Sequence, residues 1–212
     1  MLPTGPDFVA MALQIGEFFR SIGPFILFGA AVAAAQVTLF RRPTGPWRGH
    51  RIIAPIAAIP LGIPHVIAGA FRSWLLHQTT LEEDDSGQKQ KSGVLNRVLS
   101  YLDGLIFPFL LSSALGAALI VLTPTDPLWT LLSPPEPWRL LIAPLAAGAL
   151  KPRGGTELPL IMAMVAKGLD PAGAVAGIAG AGYRHARSWP LAGLHILAGS
   201  AVGILVWQIP VF

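Results

Sequence analysis

Four stretches of this chain carry no Asp, Glu, Lys or Arg: Ser21 to Phe40, Ile52 to Phe71, Gly104 to Thr125 and Ser188 to Phe212. Each matches the roughly 20 helical residues that cross a hydrocarbon core. Nothing else in the sequence restricts the fold as strongly. A soluble domain devotes about a quarter of its residues to charge, whereas here 12% of 212 residues are charged and 53% are hydrophobic. A β-barrel would need short alternating segments, and none is visible. The expected fold is all-α: a polytopic helical membrane protein whose partner is the lipid bilayer itself.

The formal charge of +4 does not point to nucleic acid, because the basic residues are scattered over loop edges with no interleaved aromatics. They read as orientation signals. The loop from Arg41 to Arg51 holds Arg41, Arg42, Arg48 and Arg51 without an acid, which places it in the cytoplasm together with Arg184 and Arg187. The acidic tract Glu82 to Asp85 is then expected on the opposite side. The N-terminus lacks a basic n-region, so the first span is expected to insert as a signal-anchor. With no cysteine, disulfides and thiolate chemistry are excluded. No histidine spacing suits a metal, no Ser/His/Asp pattern suits a hydrolase, and no cofactor motif occurs. An enzyme is not expected.

The first span is read as Phe18 to Phe40. The next apolar segment, Ile52 to Leu76, contains Pro55, Pro60 and Pro64 and is expected to be kinked or re-entrant. A third span covers Leu99 to Leu122. Beyond it come apolar Leu140 to Leu150, a break at Lys151 to Thr156, a short helix Glu157 to Lys167, and a helix from Pro171 to Tyr183 with Asp170 as N-cap. The last span is Trp189 to Trp207. The six tryptophans sit near the ends of apolar segments, where an aromatic belt belongs.

Two parts of the chain are related. Pro46-Trp47-Arg48 followed by Ile53-Ala54-Pro55-Ile56-Ala57-Ala58 matches Pro137-Trp138-Arg139 followed by Ile142-Ala143-Pro144-Leu145-Ala146-Ala147. Upstream, Pro24-Phe25 and Gly29-Ala30-Ala31 echo Pro108-Phe109 and Gly116-Ala117-Ala118, so the copies lie roughly 84 to 91 residues apart. Matched broken segments are a pointer to secondary transporters. The division is residues 1–77, a truncated N-terminal repeat; 78–96, a polar acidic loop; and 97–212, a fuller C-terminal repeat.

The second half also resembles the bacterial predicted-permease family that includes the organoarsenical permeases. The residues that carry the likeness are Gly155-Thr156-Glu157-Leu158-Pro159-Leu160 and Lys167-Gly168-Leu169-Asp170-Pro171-Ala172-Gly173-Ala174, with Pro108-Phe109-Leu110-Leu111 upstream. The family carries a Gly-x-x-x-Leu-Pro opening, a short helix and a Lys-Gly-Leu/Met-Ser-Pro turn. Many members hold cysteines near these motifs, and Asp170 stands where Ser is common. The resemblance implies a multi-pass permease of the bacterial inner membrane.

Glu157 is the leading site residue, with Thr156 and Gly155 beside it. It is either a first-turn acid favoured by the helix dipole or a cation or proton site at a broken helix. Lys151 and Arg153 flank the break and would pair with Glu157, attract an anion, or snorkel to the interface. His65 and His195 are expected to be packing residues rather than proton relays. The Gly-rich break is expected to leave free amides at the start of the next helix. The function expected is movement of a small solute or ion, by a homo-oligomer or beside other membrane subunits. The alternative is a non-transporting accessory subunit of a larger complex.

Overall fold

Glycines with a left-handed backbone mark where helices stop. Gly62 (φ 98°), Gly154 (φ 55°), Gly155 (φ 88°) and Gly168 (φ 104°) all adopt a conformation that is costly for residues with a Cβ. The structure, a computed structural model, describes residues 5–39, 46–79, 93–124, 139–149, 154–186 and 188–208. Among them are eight α-helices and no strand. They are α1 (Gly5–Leu39), α2 (Pro46–Ala57), α3 (Ile63–Thr79), α4 (Val94–Leu122), α5 (Arg139–Gly148), α6 (Leu158–Ala166), α7 (Pro171–Gly180) and α8 (Trp189–Gln208). Three are long and apolar enough to cross a membrane: α1, α4 and the Trp189–Val206 part of α8.

α1 and α4 run antiparallel. Met11 and Ile15 pack with Leu119 and Ile120, Phe18 meets Gly116, and Phe19 stacks edge-on against Phe109 at 4.9 Å. α1 begins at Gly5, well before the expected Phe18, because Met11 and Ile15 extend its apolar stripe along α4. Its charges Glu17 and Arg20 pair with each other at 3.2 Å on the exposed side.

The Ile52 to Leu76 segment is broken, as expected, but not at Pro55. That proline lies inside α2. The break is the 3₁₀ turn Ile59–Leu61 and Gly62, after which Pro64 occupies the first turn of α3. Gly69 of α3 lies against the backbone of Pro55, so close that a Cβ would sit 3.0 Å from Pro55 Cα. Since Gly62 lies midway between them, α2 and α3 form an antiparallel hairpin.

The α6–α7 turn is built from capping chemistry. Leu169 N donates to Met164 O (2.9 Å) and Gly168 N to Val165 O (3.0 Å), the paired bonds of a Schellman ending with glycine at the left-handed position. Asp170 then caps α7, its Oδ1 accepting from Gly173 N at 2.7 Å, with Pro171 opening the helix. α6 runs parallel to α4, held by Leu160 N donating to Ser112 Oγ (3.3 Å) and Lys167 Nζ donating to Thr123 O (2.7 Å).

α7 and α8 approach backbone to backbone. A Cβ on Gly199 would lie 2.6 Å from Gly180 Cα, and one on Gly203 would lie 2.8 Å from Ala172 O. α5 packs on α7 through Pro144 and Gly180 and bonds α8 through Ser200 Oγ, which donates to Leu140 O at 3.1 Å. The second half therefore wraps α7 between α5, α6 and α8. Large apolar side chains remain uncovered, among them Leu13 (68%), Phe107 (72%) and Leu197 (64%).

Two predictions follow from this packing. Gly199→Ala should lower the detergent thermal midpoint, by an overpacking cost of about 1–3 kcal/mol, whereas Gly193→Ala, with nothing within 4 Å of its Cβ position, should leave it unchanged. The hairpin also generates a topology prediction. Antiparallel α2 and α3 bring Pro46 and Thr79 to one end of the bundle, the end where α1 finishes and α4 begins. In a bilayer, reporter fusions at Gly49 and Gly87 should then read the same side rather than opposite sides.

Candidate functional site

The first charged residue after the apolar stretch Ile52 to Phe71 is Arg72, and α3 carries it into the middle of the bundle with 2% of its side chain exposed. Its guanidinium Nη1 donates to Oε1 of Glu157, whose side chain is 1% exposed. The partners are 85 residues apart in sequence. They join α3 to the residue that precedes α6.

The local chain explains how Glu157 reaches this place. Gly154 and Gly155 both take positive φ, and Gly155 lies directly against α2: a Cβ on it would sit 2.8 Å from Ala57 Cβ. Gly154, Gly155, Thr156 and Glu157 are all buried. Glu157 stands at the N-cap position of α6 with helical φ and ψ, and its side chain makes no capping bond. The carboxylate instead turns to Arg72.

The start of α6 offers no free amide. Leu158 N donates to Gly155 O (3.1 Å), Leu160 N to Ser112 Oγ (3.3 Å) and Ile161 N to Glu157 O (3.1 Å), while Pro159 has no N–H. The expectation that open amides would face a cavity is therefore corrected: a serine on a neighbouring helix and the turn's own carbonyls take them.

His195 of α8 completes the surroundings. It is fully buried, and a Cβ on Gly182 would lie 3.0 Å from its Nδ1. The charges of Arg72 and His185 reach it. His65 sits two turns before Arg72 on α3, buried, with Nδ1 lacking a hydrogen-bond partner among the described residues. Among those residues no three His, Asp or Glu side chains converge as a metal site.

Of the sequence-predicted site residues, Gly155, Thr156 and Glu157 lie together at the centre. Lys151 and Arg153 lie outside the described residues. Arg72 was missed. The available signal was a single arginine embedded in the apolar run from Ile52 to Leu76, since an ionisable residue at such a place is functional by default.

A buried ion pair is a poor source of stability, because desolvation of both groups offsets their attraction. Here Glu157 Oε2 also lacks a hydrogen-bond partner among the described residues, which adds roughly 1–3 kcal/mol of cost. An apolar pair of similar volume would pack such a bundle at equal or lower cost.

The class defined by the described residues is a helical bundle with three helices of membrane-crossing length and apolarity and a buried Arg72–Glu157 ion pair. No protein-family model, curated protein or solved structure matches the chain.

The pair makes an asymmetric prediction. Arginine cannot discharge, whereas a carboxyl group can take a proton. Glu157→Gln should therefore cost the most in detergent thermal or denaturant unfolding, about 3–5 kcal/mol. Arg72→Gln should cost less, and the double variant should recover most of the loss. Equal, additive losses would contradict a direct coupling of the two side chains.

Proposed function

We propose that the chain is a permease-like integral membrane protein of the bacterial inner membrane, which moves a small solute or ion past Arg72 and Glu157. The observation that carries this reading is the ion pair, sealed where two broken segments meet. The α2–α3 hairpin enters from the end of the bundle where α1 finishes. The other segment, α5 with α6, enters from the opposite end and reverses through Gly154 and Gly155. Gly155 touches α2 where the two overlap.

Opposed broken segments around a central polar group are how many secondary transporters build their sites. The matched motifs centred on Pro55 and Pro144 suit an inverted repeat: each proline is met by a glycine from a later helix, Gly69 or Gly180. The likeness of the second half to bacterial predicted permeases supports the same reading. The exposed phenylalanines and leucines of α1, α4 and α8 suit a lipid surroundings.

A second reading, a non-transporting accessory subunit, draws on Gly16 and Gly23 of α1. Both have open space where a Cβ would go, and small residues on a lipid-facing helix favour close packing with another chain. A homo-oligomer would use the same face.

The experiment is flux through the purified full chain in lipid vesicles across a broad panel of small anions, cations and neutral solutes. The permease reading expects uptake of at least one solute, and Glu157→Gln, still monodisperse on a sizing column, should abolish that uptake or change its pH profile. No flux by the wild type for any solute, together with copurifying foreign subunits in fixed ratio, would transfer the assignment to the accessory subunit.

A further inference from the structure

The register of α1 against α4 sets a charged pair at an unusual depth. α4 carries no charge between Asp103 and its end at Leu122, and Lys167 Nζ donates to Thr123 O just beyond it. Asp103 and Thr123 are 20 residues apart, about 30 Å along a helix, which is one hydrocarbon thickness. In a bilayer, Asp103 and Lys167 therefore mark the two edges of the apolar layer. Phe18 of α1 lies against Gly116, and Met11 and Ile15 pack with Leu119 and Ile120. Glu17 and Arg20 flank Phe18, so they lie within about 6 Å of the middle of that layer. Their side chains are 58% and 81% exposed, and they pair with each other at 3.2 Å instead of snorkelling to an edge.

Ionisable groups at such depth face protein or water rather than lipid tails. The face that carries them has the pattern of a helix seam. Val9, Leu13, Gly16, Arg20, Gly23 and Leu27 follow one another in steps of four and three, the spacing that keeps one stripe toward a partner helix. Val9, Leu13 and Leu27 are each more than half exposed. Gly16 and Gly23 have open space where a Cβ would go. They bracket Arg20, so a neighbouring backbone can approach closely on both sides of it. The other side of α1 is occupied by α4 and α2.

We infer that this face of α1 is the contact between two copies of the chain, packed as a parallel pair of α1 helices. The charges select the occupant. One acid and one base, a single turn apart, sum to zero and are complementary to themselves. A two-fold axis along the membrane normal keeps both copies in one orientation and both ion pairs at one depth. Arg20 of each copy then meets Glu17 of the other, and the planar guanidinium fork suits a bridge between two carboxylates. The four charges close on one another and leave the lipid. A headgroup does not reach that depth, and a foreign helix would need its own acid and base at the same level. The inference rests on the chain lying in a membrane, as proposed above, and does not depend on transport.

The chain has no cysteine, so single-cysteine variants of the full chain report contacts cleanly. They are reconstituted in phosphatidylcholine and phosphatidylglycerol vesicles and oxidised with copper phenanthroline. Leu13→Cys, on the seam, should give a disulfide-linked dimer. Phe107→Cys on α4 and Leu197→Cys on α8, both exposed on other faces, should not. In mild detergent, light scattering should give the wild type the protein mass of two 22.4 kDa chains. Arg20→Glu, which gathers four acids, and Glu17→Arg, which gathers four bases, should each halve that mass. The exchange of Glu17→Arg together with Arg20→Glu should recover the dimer. A monomeric wild type would overturn the inference. So would a dimer that survives both single reversals, an exchange that stays monomeric, or crosslinks at the control positions and not at Leu13→Cys. In native membranes, a Leu13→Cys product joined to a foreign protein instead of a second copy would overturn it as well. Vesicle flotation after a carbonate wash separates the two levels. A chain that washes off removes the membrane reading and the dimer with it, whereas an embedded monomer removes the dimer alone. A seam-linked dimer without solute flux keeps this inference and counts against the permease.

Discussion

A guanidinium buried in an apolar bundle has to be neutralised in place, since it cannot shed its proton. That one requirement organises the centre of this molecule. Arg72 sits on α3 and its counter-charge precedes α6, so the hairpin of α2 and α3 is fixed relative to the second half of the chain. The close pass of Gly155 beneath Ala57, the burial of Thr156, and the placement of His195 all occur around that pair. The apolar contacts on either side are forgiving by comparison: a leucine can repack, whereas a displaced carboxylate leaves a charge in a medium of low dielectric constant.

Much of the architecture was written locally. The charge-free stretches became α1, α4 and α8, since in such segments helices satisfy their own backbone groups. Asp170 and Pro171 open α7 as their capping chemistry requires, and Gly168 closes α6. The broken character of Ile52 to Leu76 was also legible, although the proline that looked like a breaker, Pro55, is accommodated within α2. Reading failed where distant residues decide. The partner that the fold supplies for Glu157 is Arg72, 85 residues away, which no local spacing points to. The Gly-rich break suggested open amides at the start of α6. Ser112, on another helix, accepts from one of them. α1 extends past the expected Phe18 to Gly5, and Glu17 and Arg20 occupy its uncovered side.

The two related motifs show how sequence likeness and packing part company. In both, a glycine from a later helix seats against the motif's proline, a contact that a proline ring without an N–H tolerates well. Their other neighbours differ. α2 lies along α1, whereas α5 is packed against α7 and α8.

The backbone contact of Gly199 with Gly180 has a mechanical consequence. Where side chains separate two helices, rotamer changes let the helices slide; here there is no intervening layer to rearrange. α7 and α8 therefore act as a single rigid block. The α2–α3 arm, whose tip turns on Gly62, meets the second half of the chain through the Arg72–Glu157 pair and through apolar contacts such as Leu76 at Gly182 and Ala57 at Gly155.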